Sequence, residues 1–336
     1  MRVVFMGTPS FALPSLRAFC EMPLEVVGVF TQPDRPAGRG HKLVAPPVKL
    51  LAQEKGLPVF QFEKVRRQAG LDAMRALKPD LVVTAAFGQI LSQKLLDVPK
   101  LGTINVHASL LPRHRGAAPI NWSIIQGESV TGVTTMLTNA GLDTGDILLK
   151  RETAILPGET AGELTERLAE IGGELLKETI EGYVSGKITP VKQDEALMSY
   201  EPMLDKALGQ IDWNQEAKRI CDLVRGVNPW PGAYTYFGGE MLKVWKASVC
   251  DCESPAANGS VLVSSAKEGL KIKCAGGAVE ILELQMPGSK RMAAKAYLSG
   301  KQLPAGTVLG DAAGEAQYAR SLSPQGKERF FHEQKR

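Results

Sequence analysis

The chain has 336 residues, of which 44% are hydrophobic and 23% charged, and a formal net charge of +4. That length exceeds one small core and predicts two domains, and the composition excludes a disordered or membrane-spanning chain. The first apolar run, Val3 to Met6, is too short for a signal peptide or a spanning helix, so no membrane partner is expected. Five scattered cysteines (Cys20, Cys221, Cys250, Cys252, Cys274) suit reduced thiols in a cytoplasmic protein better than a disulfide framework. Cys250 and Cys252 lack a second pair and the chain has only four histidines, so no metal site is expected.

In chain order, Arg2–Met6, Val26–Thr31, Leu81–Ala85 and Thr103–His107 are aliphatic or β-branched runs of strand length. Helical patterns lie between them over Pro14–Cys20, Pro46–Lys55 and Ala69–Leu77. This alternation predicts a Rossmann-like, mostly parallel sheet covered on both faces. Val133–Leu137 and Ile147–Glu152 add two strands joined by a glycine-rich turn. A long amphipathic helix then starts at a capping box, Thr160 with Glu163, and ends before Gly186. Residues 192–212 show no period and read as a linker across the surface. Glu216–Val224 reads as one short helix. Five short strands follow, at Ala233–Phe237, Met241–Ser248, Gly259–Ser264, Leu270–Cys274 and Ala278–Leu284, a spacing that predicts a small β-barrel. The expected division is an α/β domain over 1–190, a linker over 191–209, a barrel over 210–310 and a charged tail over 311–336. Residues 210–336 hold 17 Lys and Arg against 13 Asp and Glu, whereas the preceding part is balanced. A surplus confined to the barrel and tail suits a polyanionic partner or simply a solvated basic surface.

The motifs narrow the chemistry. The first strand runs into Gly7-Thr8-Pro9-Ser10, which has one glycine where a dinucleotide fold has three, and Thr31-Gln32 closes the second strand without an acid. The nicotinamide signature therefore fails. The loop Gln32–Leu43 carries Arg35, Arg39, His41 and Lys42 among prolines and glycines, a charge pattern that suits phosphate contacts or an ordinary solvated loop. In Thr103-Ile-Asn-Val-His107, Asn105 and His107 share one face of the strand by period-2 alternation. Both then reach one small volume at the strand's carboxyl end, where open α/β sheets bind ligands. Asp143 and Asp146 sit in the Gly141–Leu149 turn, and a carboxylate from there would orient the imidazole and favour its charged form. No serine nucleophile elbow, phosphate-cradling loop or metal cluster accompanies them. One asparagine, one histidine and one aspartate suit direct acyl transfer: the amide donates to a developing oxyanion and the imidazole handles a proton.

The stretch Ile104–Pro119, "INVHASLLPRHRGAAP", together with Leu142–Asp146, "LDTGD", resembles the folate-dependent formyltransferases. "FTQPDRPAGRG", "GAAPI", "NPWPGAY" and "VWKA" are similar to the branch that acts on methionyl-tRNA, and the likeness runs from Val3 to about Leu309. The resemblance implies a catalytic triplet of Asn105, His107 and Asp143 and a 10-formyltetrahydrofolate co-substrate with no metal. It further implies a folate-binding loop Ser109, Leu110, Leu111 and Pro112, with Phe87, Gly88 and Ile90 lining the pterin pocket. Arg39, with Arg35 and Lys42, would meet the acceptor end of a methionyl-initiator tRNA. The barrel is expected to be OB-like and to hold that tRNA, and the protein to be a monomer. This chain has His114 where the family commonly has tryptophan.

Overall fold

The computed structural model describes residues 1–37, 42–301 and 303–310. Val3, Val4, Phe5 and Met6 are all fully buried, as expected of a strand with helices on both of its faces rather than one face in water. That strand, β1 (Arg2–Gly7), is followed by α1 (Leu13–Glu21), β2 (Glu25–Thr31), a small antiparallel hairpin of β3 (Arg35–Ala37) and β4 (Lys42–Val44), α2 (Pro47–Glu54) and β5 (Val59–Gln61). Next come α3 (Gln68–Leu77), β6 (Leu81–Ala85), α4 (Gln93–Leu96), β7 (Thr103–His107), β8 (Arg115–Gly116) and α5 (Pro119–Ile125). The series continues with β9 (Val130–Leu137), β10 (Ile147–Ala154), α6 (Ala161–Val184) and β11 (Tyr200–Glu201).

Seven of these strands form one sheet in the order β10-β9-β7-β6-β1-β2-β5. The pairs from β7 through β5 are parallel, whereas β9 runs antiparallel to β7 and β10 antiparallel to β9. The sheet is thus mostly parallel with an antiparallel edge, because a tight turn of Gly141–Asp146 type can only return the chain beside itself. From β1 the chain moves outward through β2 and β5, then returns to β6 on the other side of β1. The crevice between β1 and β6 is therefore the topological switch point.

The helix α6 begins as expected: Thr160 Oγ1 accepts from the Glu163 amide at 3.3 Å and the Glu163 carboxylate accepts from the Thr160 amide at 2.9 Å. This helix covers β7, and a methyl group on Gly172 would approach Val106 Cγ1 to 3.0 Å. Val106 consequently faces α6, and Asn105 and His107 face the other way. β5 and the β3–β4 hairpin are not legible in the sequence, being three residues each, with β5 half-buried and β4, Arg35 and Pro36 exposed. Without deep burial they carry little hydrophobic periodicity.

The described chain divides into two compact units, Met1–Ser123 with Glu128–Met203, and Ile124–Gly127 with the chain from Leu204 onward. The second unit contains α7 (Ala217–Gly226), β12 (Ala233–Phe237), β13 (Glu240–Cys250), β14 (Val261–Ser265), β15 (Gly269–Cys274), β16 (Gly277–Gln285), β17 (Met292–Ala293) and α8 (Ala294–Leu298). Its antiparallel sheet runs β12-β13-β16-β15-β14, with β17 on β16. Ile220, Val224, Leu242, Val244, Ile272, Ile281 and Leu284 fill its core, each such burial contributing about 1.5–3 kcal/mol. β12 and β14 are not paired with each other as strands among the described residues; instead the segment Thr307–Gly310 bonds to Gly259 and Val261 on one side and to the Tyr236 carbonyl on the other. No helix among the described residues is long and apolar enough to cross a membrane.

Candidate active site

The loops at the switch point are tied together across it. Thr8, just after β1, donates its hydroxyl hydrogen to the Phe87 carbonyl, just after β6, at 2.9 Å. Gln32, just after β2, donates from its carboxamide to the Gly88 carbonyl at 2.9 Å. β7 lies beside β6, in a register that sets Asn105 opposite Thr84.

That register decides how Asn105 is used. The Thr84 hydroxyl donates to Asn105 Oδ1 at 2.8 Å, which turns the amide nitrogen, a pure donor, away from β6. His107 is buried, and its Nε2 lies 3.0 Å from the His114 carbonyl oxygen. A carbonyl can only accept, so Nε2 carries the hydrogen. Nδ1 is then the atom left to take up or release a proton, and it faces Asp143 Oδ1 at 3.8 Å, an ion-pair separation rather than a direct hydrogen bond. The other Asp143 oxygen accepts from the Gly116 amide at 2.9 Å. Of the two acids in the turn, it is Asp143 that reaches His107. Asp143 itself has φ +53°, a left-handed conformation uncommon outside glycine. Gly145 makes the turn possible, since a Cβ there would lie 1.5 Å from the Leu137 carbonyl oxygen.

The loop after β7 is built from the inside. Ser109, Leu111 and Pro112 are buried and Leu110 half-buried. The Thr134 hydroxyl donates to the Ser109 carbonyl at 2.7 Å and accepts from the Leu111 amide at 3.1 Å. His114, at φ +56° and 2% exposed, is clamped by two carboxylates: Nδ1 lies 2.9 Å from Glu201 Oε1 and Nε2 3.0 Å from Glu128 Oε2. Burial works against the charged ring, but hydrogen bonding and charge from Glu128, then from Glu201, outweigh it and hold His114 above its ordinary value of 6.5. Arg113 pairs with Glu128, and the Ser199 hydroxyl contacts Glu201 at 3.3 Å and accepts from the His114 amide at 2.8 Å.

Not every expected residue joins this cluster. The Phe87 ring packs into the core with Met6, Val82 and Leu95, so it is the backbone of Phe87 and Gly88 that borders the crevice. Ile90 is exposed. Arg35 is paired with Glu63 at 2.5 Å, Lys42 is exposed on β4, and Arg39 lies outside the described residues. A depression of about 510 Å³ lined by Glu253, Ser254, Pro255, Lys273, Gly276 and Gly277 belongs to the second unit and includes none of the triplet.

The formyl transferase family model matches residues 1–180, and that of the formyl transferase C-terminal domain matches residues 203–302. The chain belongs to the formyl transferase family. Among its curated relatives, the methionyl-tRNA formyltransferase of Geotalea uraniireducens is 50% identical over 310 residues, covering 92% of this chain and 98% of that protein. That of Geobacter sulfurreducens is 49% identical over 312 residues, with 93% and 98% covered. Among solved structures, an N-formyltransferase from Helicobacter canadensis, in complex with folinic acid and dTDP-3-aminofucose, shares the fold at a TM-score of 0.63. It is 18% identical, with 84% of this chain and 98% of that one covered.

For a formyl transferase, three side chains around the triplet were not read from the sequence. Thr84 had a signal, a lone hydroxyl in the apolar run Leu81–Ala85 opposite an equally out-of-place asparagine. Glu201 and Gln193, in the aperiodic stretch, had none.

Two outcomes follow from this geometry. Thr84→Val keeps the shape of β6 but removes the donor to Asn105. It is expected to lower kcat for formyl transfer roughly ten- to a hundredfold with an unchanged melting temperature, and an unchanged kcat would show that Asn105 needs no such orientation. With four histidines in the chain, the His114 ring is resolvable by NMR titration and should lose its proton above pH 6.5. Because its folded value is raised, its contribution to stability is complete below 6.5 and is lost as pH rises through the raised value. The melting temperature should therefore decline across that window, and Glu128→Gln should move the His114 midpoint down. A midpoint at or below 6.5 in the unaltered protein would refute the charged clamp.

Proposed function

We propose that the protein transfers the formyl group of 10-formyltetrahydrofolate to the free α-amine of methionyl-initiator tRNA, giving the N-formylmethionyl-tRNA used to start translation. The observation that carries this reading is the likeness to methionyl-tRNA formyltransferases at about half identity over 92% of the chain, with both domains matched. The neutral amine attacks the formyl carbon, a new C–N bond forms, and the carbonyl electron pair moves onto oxygen. Asn105, its amide nitrogen freed by Thr84, donates to that oxygen, a contribution of about 3–4 kcal/mol in comparable sites. His107 takes the amine proton at Nδ1, beside the Asp143 carboxylate, and the proton is passed to the departing folate nitrogen as its bond to carbon breaks. Neither a metal nor a covalent enzyme intermediate is needed for these steps.

The folate is read as lying against Ser109–Pro112 and the backbone of Phe87 and Gly88, with Ile90 at the edge. The built loop after β7 and the crevice tied by Thr8 support this. Residues 1–190 then form the catalytic domain, and residues 210–310 an OB-like domain that holds tRNA by backbone and shape. The short antiparallel strands and the basic surplus of this part support that role, as does Trp245, which has Lys243 and Arg291 at 5.5 and 5.3 Å from its ring. Arg35, Arg39 and Lys42 are read as contacts to the acceptor end. The protein is taken to work as a monomer in the cytoplasm.

The test offers 10-formyltetrahydrofolate with methionyl-initiator tRNA, free methionine or an amino-sugar nucleotide. Formylation of the charged tRNA alone is expected. Transfer only to a small amine or to water would keep the chemistry and discard the tRNA. Asn105→Ala should lower kcat about 100- to 1000-fold, with comparable losses for His107→Ala and Asp143→Asn and little effect on folding, and near-normal turnover in His107→Ala would refute its role. Raising salt from about 50 to 200 mM should raise the KM for tRNA steeply, by counterion release. A KM indifferent to salt would remove the basic surface from tRNA binding.

A further inference from the structure

The stretch between α6 and the second unit carries more than connection. Gln193, half-buried, makes four hydrogen bonds to Arg115 and to backbone carbonyls through one carboxamide, and a long one to Met136 Sδ at 3.9 Å. Its NH2 group donates to the carbonyls of Asp143 and Gly145, both at 2.8 Å. Its oxygen accepts from Arg115 Nε at 3.0 Å and Nη2 at 2.8 Å. Arg115 is itself buried in β8, and its guanidinium also binds the Glu195 carboxylate at 2.8 and 3.0 Å. The residue after Arg115 is Gly116, whose amide holds the Asp143 carboxylate. β11 completes the frame by pairing with β8.

We infer that Gln193 is a positioning residue for formyl transfer, holding the Asp143 turn so that its carboxylate meets His107. The inference rests on the catalytic reading of the triplet given above. Asp143 adopts a left-handed backbone that an aspartate takes at some cost, so the turn needs external support to stay in place. One NH2 group bridging the carbonyls at 143 and 145 spans that residue. A cationic donor on the amide oxygen polarises the carboxamide and strengthens both of its N–H bonds. The same arginine belongs to the strand that binds the Asp143 side chain. Backbone and carboxylate of Asp143 are thus referred to a single element, β8, through Gln193 on one side and Gly116 on the other. The His107 Nδ1 to Asp143 Oδ1 separation of 3.8 Å is set by that frame.

Two variants separate positioning from bulk stability. Gln193→Ala removes all four bonds. Gln193→Glu keeps an acceptor, now charged, for Arg115, but presents carboxylate oxygen to the two carbonyls. Both are expected to lower kcat roughly ten- to a hundredfold, with the KM values for 10-formyltetrahydrofolate and for methionyl-tRNA within about twofold of the unaltered enzyme. Gln193→Glu, with Arg115 still paired, should melt within about 4 °C of it. In an Asp143→Asn background, where asparagine tolerates the left-handed backbone, Gln193→Ala should cost nothing further. If Asp143→Asn is impaired but both Gln193 variants turn over normally, the positioning role is wrong and the triplet stands. An equal extra loss in both backgrounds would mean that Gln193 does not act through Asp143. Normal turnover by Asp143→Asn would overturn the catalytic reading instead.

Discussion

A polar side chain on a strand that is covered on both faces must be hydrogen-bonded, because leaving it without a partner costs on the order of 1–3 kcal/mol. β7 sits inside the sheet between β6 and β9 and carries Asn105 and His107 toward its carboxyl end. The surrounding structure can be understood as the answer to that requirement. Thr84 satisfies the acceptor of Asn105 and leaves its donor unspent. The His114 carbonyl satisfies one ring nitrogen of His107 and leaves the other facing a carboxylate. In both cases the protein satisfies one half of the group and leaves open the half that the proposed transfer uses. The open halves lie at the carboxyl end of the sheet, beside the crevice where the strand order reverses.

The second layer of support is ionic. His114 contributes its carbonyl to His107 and its ring to Glu128 and Glu201. A buried ring between two carboxylates is favoured in its charged form, and removing any one member would leave uncompensated charge in a place of low polarity. This suits a position whose backbone must stay left-handed: the ring anchors a conformation that the chain would otherwise leave. Arg115 repeats the pattern one residue on, buried against Gln193 and Glu195. Three successive residues, His114 just before β8 and Arg115 and Gly116 within it, thereby hold both members of the His107–Asp143 pair. The side chains that hold these residues in turn lie mostly between Gln193 and Glu201. A segment whose composition suggests mere connection is, in structure, an outer brace of the site.

Much of the architecture was legible beforehand, and the reason lies in burial. The strands Leu81–Ala85, Thr103–His107 and Ala233–Phe237 and the start of α6 could be read at their bounds because deep burial writes continuous or alternating apolar runs and capping writes Thr160 with Glu163. The three-residue strands β3, β4 and β5 could not, each being too short to write a period of its own, although Phe60 of β5 stacks on Phe30. The tight turn already makes β10 antiparallel to β9, but the crossover through α5 leaves the sense of β9 against β7 open in the sequence. The sheet of the second unit was expected to close as a barrel, yet spacing of strands does not specify whether the first and last of them meet.

The sequence by itself determined which chemistry is available: an amide donor, an imidazole and a carboxylate at the end of a buried strand, with no nucleophile or metal ligands beside them. Period-2 alternation was enough to place Asn105 and His107 on one face, since that follows from the geometry of any strand. Only the tertiary structure decided that Asp143 rather than Asp146 faces His107, which ring nitrogen carries the hydrogen, and which end of the Asn105 amide is free. Those choices depend on Thr84, on the His114 carbonyl and on Gln193, whose hydrogen bonds to Asn105, His107 and Asp143 span 21, 7 and 50 residues of chain. Hydrogen bonds between distant segments leave no periodic trace in composition, because each needs only one residue at one place.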